Sequence, residues 1–197
     1  MELTNERLAF ISNDINISIY SKDNGKYEKE GKSLVMATID DFVQINDNEI
    51  ASISGQESEI TFWDLTTREK NAQIGEIKNY GHSCMLLFGN SLIVGGADRY
   101  NTKNYIYVIK IDNKELIKKY EFFQNIWFMT KLNEKELITG ETNGIINKYN
   151  FDENEVKLME TNKDHENDIV MKLSFCSINN RIASFSDEKC IIFKISD

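Results

Sequence analysis

Apolar and polar residues along this chain alternate in short runs, and one such run returns five times: Leu8-Ala9-Phe10-Ile11-Ser12, Ile50-Ala51-Ser52-Ile53-Ser54, Leu92-Ile93-Val94-Gly95-Gly96, Leu137-Ile138-Thr139-Gly140 and Ile182-Ala183-Ser184-Phe185-Ser186. The starts lie 42, 42, 45 and 45 residues apart. A fixed period of that size marks equivalent supersecondary units that bury their faces against one another. Within each period the order is constant: an apolar run leading into the start, the start itself, a polar turn, a run rich in Ile, Tyr, Phe and Val, a polar tip, and a more charged run.

That order predicts four strands per unit. First strands are expected over 41–45, 84–88, 128–132 and 171–175, nearly wholly apolar in places, as strands covered on both faces are. Third strands are expected over 15–20, 60–65, 105–111, 145–151 and 190–195, and outer, charged strands near 25–32, 73–77, 116–122 and 156–161. No segment holds apolar residues at three-and-four spacing for the length of an ordinary helix, so the fold expected is all-β. Four strands per period is the blade of a β-propeller, here with about four to five antiparallel units starting near 8, 50, 92, 137 and 182 in a single domain over 1–197.

Composition narrows the function. The formal net charge of −9 argues against a general nucleic-acid binder or a membrane-surface protein, both of which want a basic face. No run approaches the roughly 18 apolar residues of a membrane helix, and the start MELTNERLAF lacks a signal-peptide pattern. Cys84, Cys176 and Cys190 stand far apart and odd in number, which suits a reducing, cytoplasmic setting better than a disulfide framework. The chain has no proline, but Asn, Asp and Gly clusters such as KDNG supply its turns.

Several residues in phase with the period resemble the WD-repeat family. Trp63-Asp64 ends the third strand of the second unit, where that family places its namesake dipeptide. Gly81-His82 matches the Gly-His that opens such repeats, and Asp164-His165 occupies the equivalent loop before the last unit. The resemblance implies a structural hydrogen-bond network of loop His, second-strand Ser or Thr, turn Asp and third-strand Trp. It survives in pieces: His165, Ser184 and Asp187 lack the Trp, with Phe193 in its place, while Trp63 stands with Glu57 in the Asp slot and no His upstream. Asp14, Asp98 and Asn143 hold the turn slot in other units.

Little catalytic inventory remains. Both histidines fall at the position the family uses to hold a blade together, so His82 and His165 read as structural. The cysteines lie on or beside strands and read as small buried hydrophobes. Carboxylates such as Asp40-Asp41 and Glu57-Glu59 sit in turns, where solvated charge is the simpler account, and Gly95-Gly96 lacks the helix and lysine of a phosphate loop. Neither an enzyme, a cofactor nor a metal is expected. The binding candidates are a long tip after the third start, containing Arg99, Tyr100 and Lys103, and an aromatic loop with Phe123 and Gln124 beside Trp127. In a propeller these loop types share one rim with Tyr80. The function expected is a protein-interaction scaffold in an intracellular assembly.

Five starts in 197 residues are fewer than the seven blades common in WD-repeat rings. An unclosed arc exposes blade faces and strand edges, so the chain is expected to belong to a longer protein, to be completed by another chain or a second copy, or to close on itself. Self-closure ranks last, because residues 1–6 look too polar for a first strand. The alternative function is therefore a structural subunit whose open blades another chain completes.

Overall fold

All regular structure is strand. The structure, a computed structural model, describes residues 1–13, 15–75, 77, 83–96, 104–122, 125–151, 155–163, 165, 168–176 and 181–194, and no helix occurs among them. The first sheet holds β1 (Glu2–Leu3), β2 (Arg7–Ser12), β3 (Asn16–Asp23), β4 (Lys26–Lys29) and β5 (Leu34–Val35). The second holds β6 (Asp41–Asn46), β7 (Glu49–Ser54), β8 (Glu59–Asp64) and β9 (Lys70–Ile74), and the third β10 (Ser83–Phe88), β11 (Ser91–Gly96), β12 (Asn104–Lys110) and β13 (Glu115–Phe122). The fourth comprises β14 (Ile126–Lys131), β15 (Glu136–Glu141), β16 (Ile146–Phe151) and β17 (Val156–Asn162), and the fifth β18 (Lys172–Cys176), β19 (Arg181–Phe185) and β20 (Cys190–Lys194). Within each sheet successive strands pair antiparallel in chain order, and β5 adds to the edge of β3 beyond β4.

The residue that heads each repeat keeps the same partner position in all five sheets. Leu8 pairs with Tyr20, Ile50 with Trp63, Leu92 with Ile109, Leu137 with Tyr149, and Ile182 with Phe193. A one-residue slip would turn every side chain to the opposite face, so a common register means a common assignment of faces. Outer strands depart from it at one place. Pairing skips Asn71, Ile117 and Met159, three bulges at equivalent positions of β9, β13 and β17.

Two compact units, Met1–Lys78 and Asn79–Asp197, divide the chain. In the first, Ile17, Ile19 and Leu34 of the first sheet share a core with Ile50, Trp63 and Leu65 of the second. In the second unit, Ile93, Ile106 and Val108 of the third sheet pack with Leu137 and Tyr149 of the fourth, while Ile138 and Ile146 pack with Leu173 and Ile182 of the fifth. Consecutive residues Leu137 and Ile138 thus enter different cores, which is why their run shows no polar alternation.

Residues 1–6 depart from the sequence expectation. Glu2 and Leu3 pair with Leu8 and Arg7, and Met1 exchanges two backbone hydrogen bonds with Ala9, at 2.8 and 2.9 Å. A strand this short needs only one buried side chain, Leu3, and its polar neighbours Asn5 and Glu6 form the turn with left-handed backbone, φ 60° and 57°.

Gly140 lies hard against Val170. A β-carbon there would stand 2.5 Å from Val170 Cγ1 and 2.9 Å from its Cβ. Gly140→Ala is therefore expected to destabilise by about 2 kcal/mol through overpacking, read as a lower urea midpoint with an unchanged m-value.

Candidate functional site

Two polar columns run through the dry second strands. Two places beyond the head residue stand Ser52, Thr139 and Ser184, and four places beyond stand Ser54, Glu141 and Ser186. Apart from the half-buried Ser186, all are buried, and a buried hydroxyl without a partner is costly. In the second sheet Trp63 Nε1 donates to Ser52 Oγ at 2.8 Å, and that hydroxyl reaches Met36 Sδ at 2.9 Å. Ser54 Oγ meets Thr38 Oγ1 and accepts from the backbone of Glu57 at 3.1 Å. Asp64 Oδ1 accepts from the backbone N–H groups of Thr66 and Thr67 at 2.7 and 2.8 Å, bonds that hold its carboxyl below the usual range, Thr67 contributing most.

The fifth sheet meets the same need with other residues. His165, wholly buried, lies 2.7 Å from Ser184 Oγ through Nε2, so His165 stands here where Met36 stands in the second sheet. Ser186 Oγ accepts from the backbone of Lys189 at 3.1 Å. Asp187 is exposed in the β19–β20 turn. Asp168, three residues on, donates its backbone N–H to the His165 carbonyl at 3.2 Å, and its carboxyl is held below the usual range chiefly by the Ser186 hydroxyl. His82 lies outside the described residues.

The fourth sheet carries a group that the motif reading missed. Glu141 is buried in a sheet interior, with Oε1 accepting from Asn147 Nδ2 at 2.5 Å, and Asn147 Oδ1 accepts in turn from Thr161 at 2.7 Å. Burial pushes the Glu141 carboxyl up to about 7, with Asn147 opposing the shift. The Tyr149 hydroxyl is raised as well, by burial first and the Glu141 charge second. The signal was present: Glu141 occupies the column that holds Ser54 and Ser186 elsewhere, so its position in the repeat, not its residue type, marks it as interior.

Of the partner-surface candidates, Tyr80, Arg99, Tyr100, Lys103, Phe123 and Gln124 all lie outside the described residues. The strand ends that flank them are described, and they belong to one end of the third sheet. Ser83 pairs with Gly96, and Asn104 pairs with Phe122. That end is firmly packed: Ser83 and Asn104 are buried, Lys119 Nζ sits 3.4 Å from the centroid of Tyr105, and Phe122 meets Tyr149 edge-on at 5.4 Å. Phe122 and Phe128 join packed cores, whereas Trp127 is the bulged residue of β14, half-buried.

The cysteines divide. Cys84 is buried, with Sγ 3.6 Å from the Gly95 carbonyl, but Cys176 and Cys190 are exposed, because they point away from the core of the fifth sheet. No group of three or more His, Cys, Asp or Glu side chains gathers as a metal site would require, and no helix is long and apolar enough to cross a membrane, both among the described residues.

Up-and-down antiparallel sheets, repeated in one register and sharing buried cores between the first and second, the third and fourth, and the fourth and fifth, define a β-propeller, the architecture that the period predicts. No family model and no curated protein matches the chain in sequence. Its fold is similar to a chain in the structure described as "Crystal Structure of Mitotic Checkpoint Complex", with a TM-score of 0.82 at 9% identity. The alignment covers 99% of this chain but 62% of that one, so the chain spans under two thirds of the length of its structural neighbour. With 1046 matching chains, the likeness identifies the fold and does not choose among functions.

Two stability measurements test these networks. Glu141 keeps its proton in the fold to about pH 7 but loses it from about 4.5 when unfolded, so its contribution favours folding at low pH and is lost as pH rises through that window. Glu141→Gln should then leave stability at pH 4 nearly unchanged and raise it by up to roughly 3 kcal/mol at pH 8 in urea titrations. Ser184→Ala, which strips His165 Nε2 of its hydroxyl, should cost about 2 kcal/mol in the same assay.

Proposed function

We propose that this chain is a non-catalytic, WD-repeat-like module that holds loops in a fixed frame for protein partners in a cytoplasmic assembly. The observation that carries this reading is the packed end of the third sheet, where Ser83, Gly96, Asn104 and Phe122 end together beside the segments bearing Tyr80, Arg99, Tyr100, Lys103, Phe123 and Gln124. Aromatic, basic and amide side chains on loops anchored to such a sheet suit a protein interface, where a few aromatic and Arg contacts dominate the energy. That the similar solved chain belongs to a multiprotein complex agrees with the reading.

A second reading, a subunit whose blades another chain completes, draws on the terminal sheets. Phe10 and Val35 of the first sheet and Phe185 and Ile192 of the fifth are exposed although they sit in strands.

Arg99→Ala combined with Phe123→Ala should reduce the recovery of partners that co-purify with the wild-type chain by tenfold or more, on the order of two hot-spot contacts. Retention of every partner at wild-type level would show that the loops are not the interface.

A further inference from the structure

The third and fourth sheets, each four-stranded and both within the second unit, leave a cavity of about 400 Å³ between their turns. It lies at the end of the third sheet where Phe88 pairs with Ser91, opposite to the end where Ser83 pairs with Gly96 and the candidate loops begin. Unequal turns make the room. Only Gly89 and Asn90 join β10 to β11, whereas residues 132–135 join β14 to β15. Gly89 has left-handed backbone, φ 58°, and a β-carbon there would meet nothing within 4 Å. The floor is formed by the rings of Phe88 and Phe151, which meet edge-on at 5.2 Å.

The charges on its walls are not balanced. Glu134 and Lys135 are the charged residues among those lining the cavity, and Glu134 is answered by Lys131 Nζ at 2.6 Å. Lys135 is fixed through its backbone: its N–H donates to Asn133 Oδ1 at 2.8 Å, and its carbonyl accepts from the Phe151 N–H at 2.7 Å. Its side chain is exposed, and the ammonium has no partner among the described residues. The half-buried side-chain amide of Asn150 is uncommitted in the same sense. In a chain whose net charge is −9, the cavity therefore offers a cation on a held backbone, an amide and an aromatic floor.

We propose that this cavity docks an extended acidic segment of a partner protein, with a carboxylate on Lys135, a neighbouring apolar side chain against the Phe88 and Phe151 rings, and a backbone group on the Asn150 amide. A carboxylate on an ammonium makes a charge-assisted hydrogen bond, stronger than a neutral one, and the rings give the apolar side chain its contact. A segment suits the cavity better than a small molecule does. Gly89, Asn90, Glu134 and Lys135 are all exposed, so the walls leave one side open, whereas small-molecule sites enclose most of the ligand surface. This site is additional to the loop surface and stands without it.

The test screens a phage-displayed library of random eight-residue peptides against the full chain. Selected peptides should carry aspartate or glutamate beside an aliphatic or aromatic residue, and should shift the amide resonances of Gly89, Asn90 and Lys135. Lys135→Gln should weaken them about tenfold, the size of one charge-assisted hydrogen bond, with an unchanged urea midpoint. Selection against Lys135→Glu should lose the acidic preference. Selection of no peptide, peptides without acidic enrichment, equal binding to Lys135→Gln, or shifts confined to other residues overturns the proposal. N-acetylglutamate binding as tightly as the peptides also overturns it, because the site then takes a small carboxylate. Asp152→Asn combined with Glu153→Gln should leave peptide binding unchanged, and a gain of about tenfold would show that the acids of this chain are the occupant. Arg99→Ala combined with Phe123→Ala should bind the peptides as the wild type does, and loss there would place them on the loops instead.

Discussion

A small antiparallel sheet whose residues are apolar on both faces can be dry only between two other layers. This constraint organises the chain. β15 places Leu137 in the core shared with the third sheet and Ile138 in the core shared with the fifth, so the fourth sheet has no solvent face at its centre. Each unit depends on the burial its neighbours supply, which is why a shared register matters more than any single contact. It also sets the condition of the fifth sheet, where Ile182 and Leu173 are buried on one side while Ile192 and Phe185 meet water on the other.

Burying second strands on both faces leaves their few polar residues with nowhere to find water. The molecule solves this differently in each sheet: an indole and a thioether at Ser52, an imidazole at Ser184, an amide at Glu141. The physical demand is a hydrogen-bond partner at a given place, not a particular residue, so different residues meet it in different sheets. The fold is accordingly similar to a solved structure at 9% identity, while no family model matches the sequence. Glu141 is the costliest of these solutions, because its charge has the most hydration to lose.

Legibility followed from how local the cause of each feature is. Strand positions were readable because side-chain alternation and turn chemistry act within a few residues, as at Asn24-Gly25, both left-handed and joining β3 to β4. The first strand is hard to read from sequence because its pairing with β2 depends on a single inward residue, Leu3, among polar ones. The partner-surface residues stand out by composition alone, and what the structure adds is the frame on which their flanking strands end.

By itself the sequence determined the period, the all-β class, the order of strands within a unit and the residues that head each one, because these depend on near neighbours along the chain. Only the tertiary structure decided which partners the interior polar residues find and which cysteines are exposed. It also decided that the partner of the Ser184 hydroxyl is His165. Those outcomes depend on which sheet lies against which face, a relation between residues far apart in the chain that no local pattern encodes.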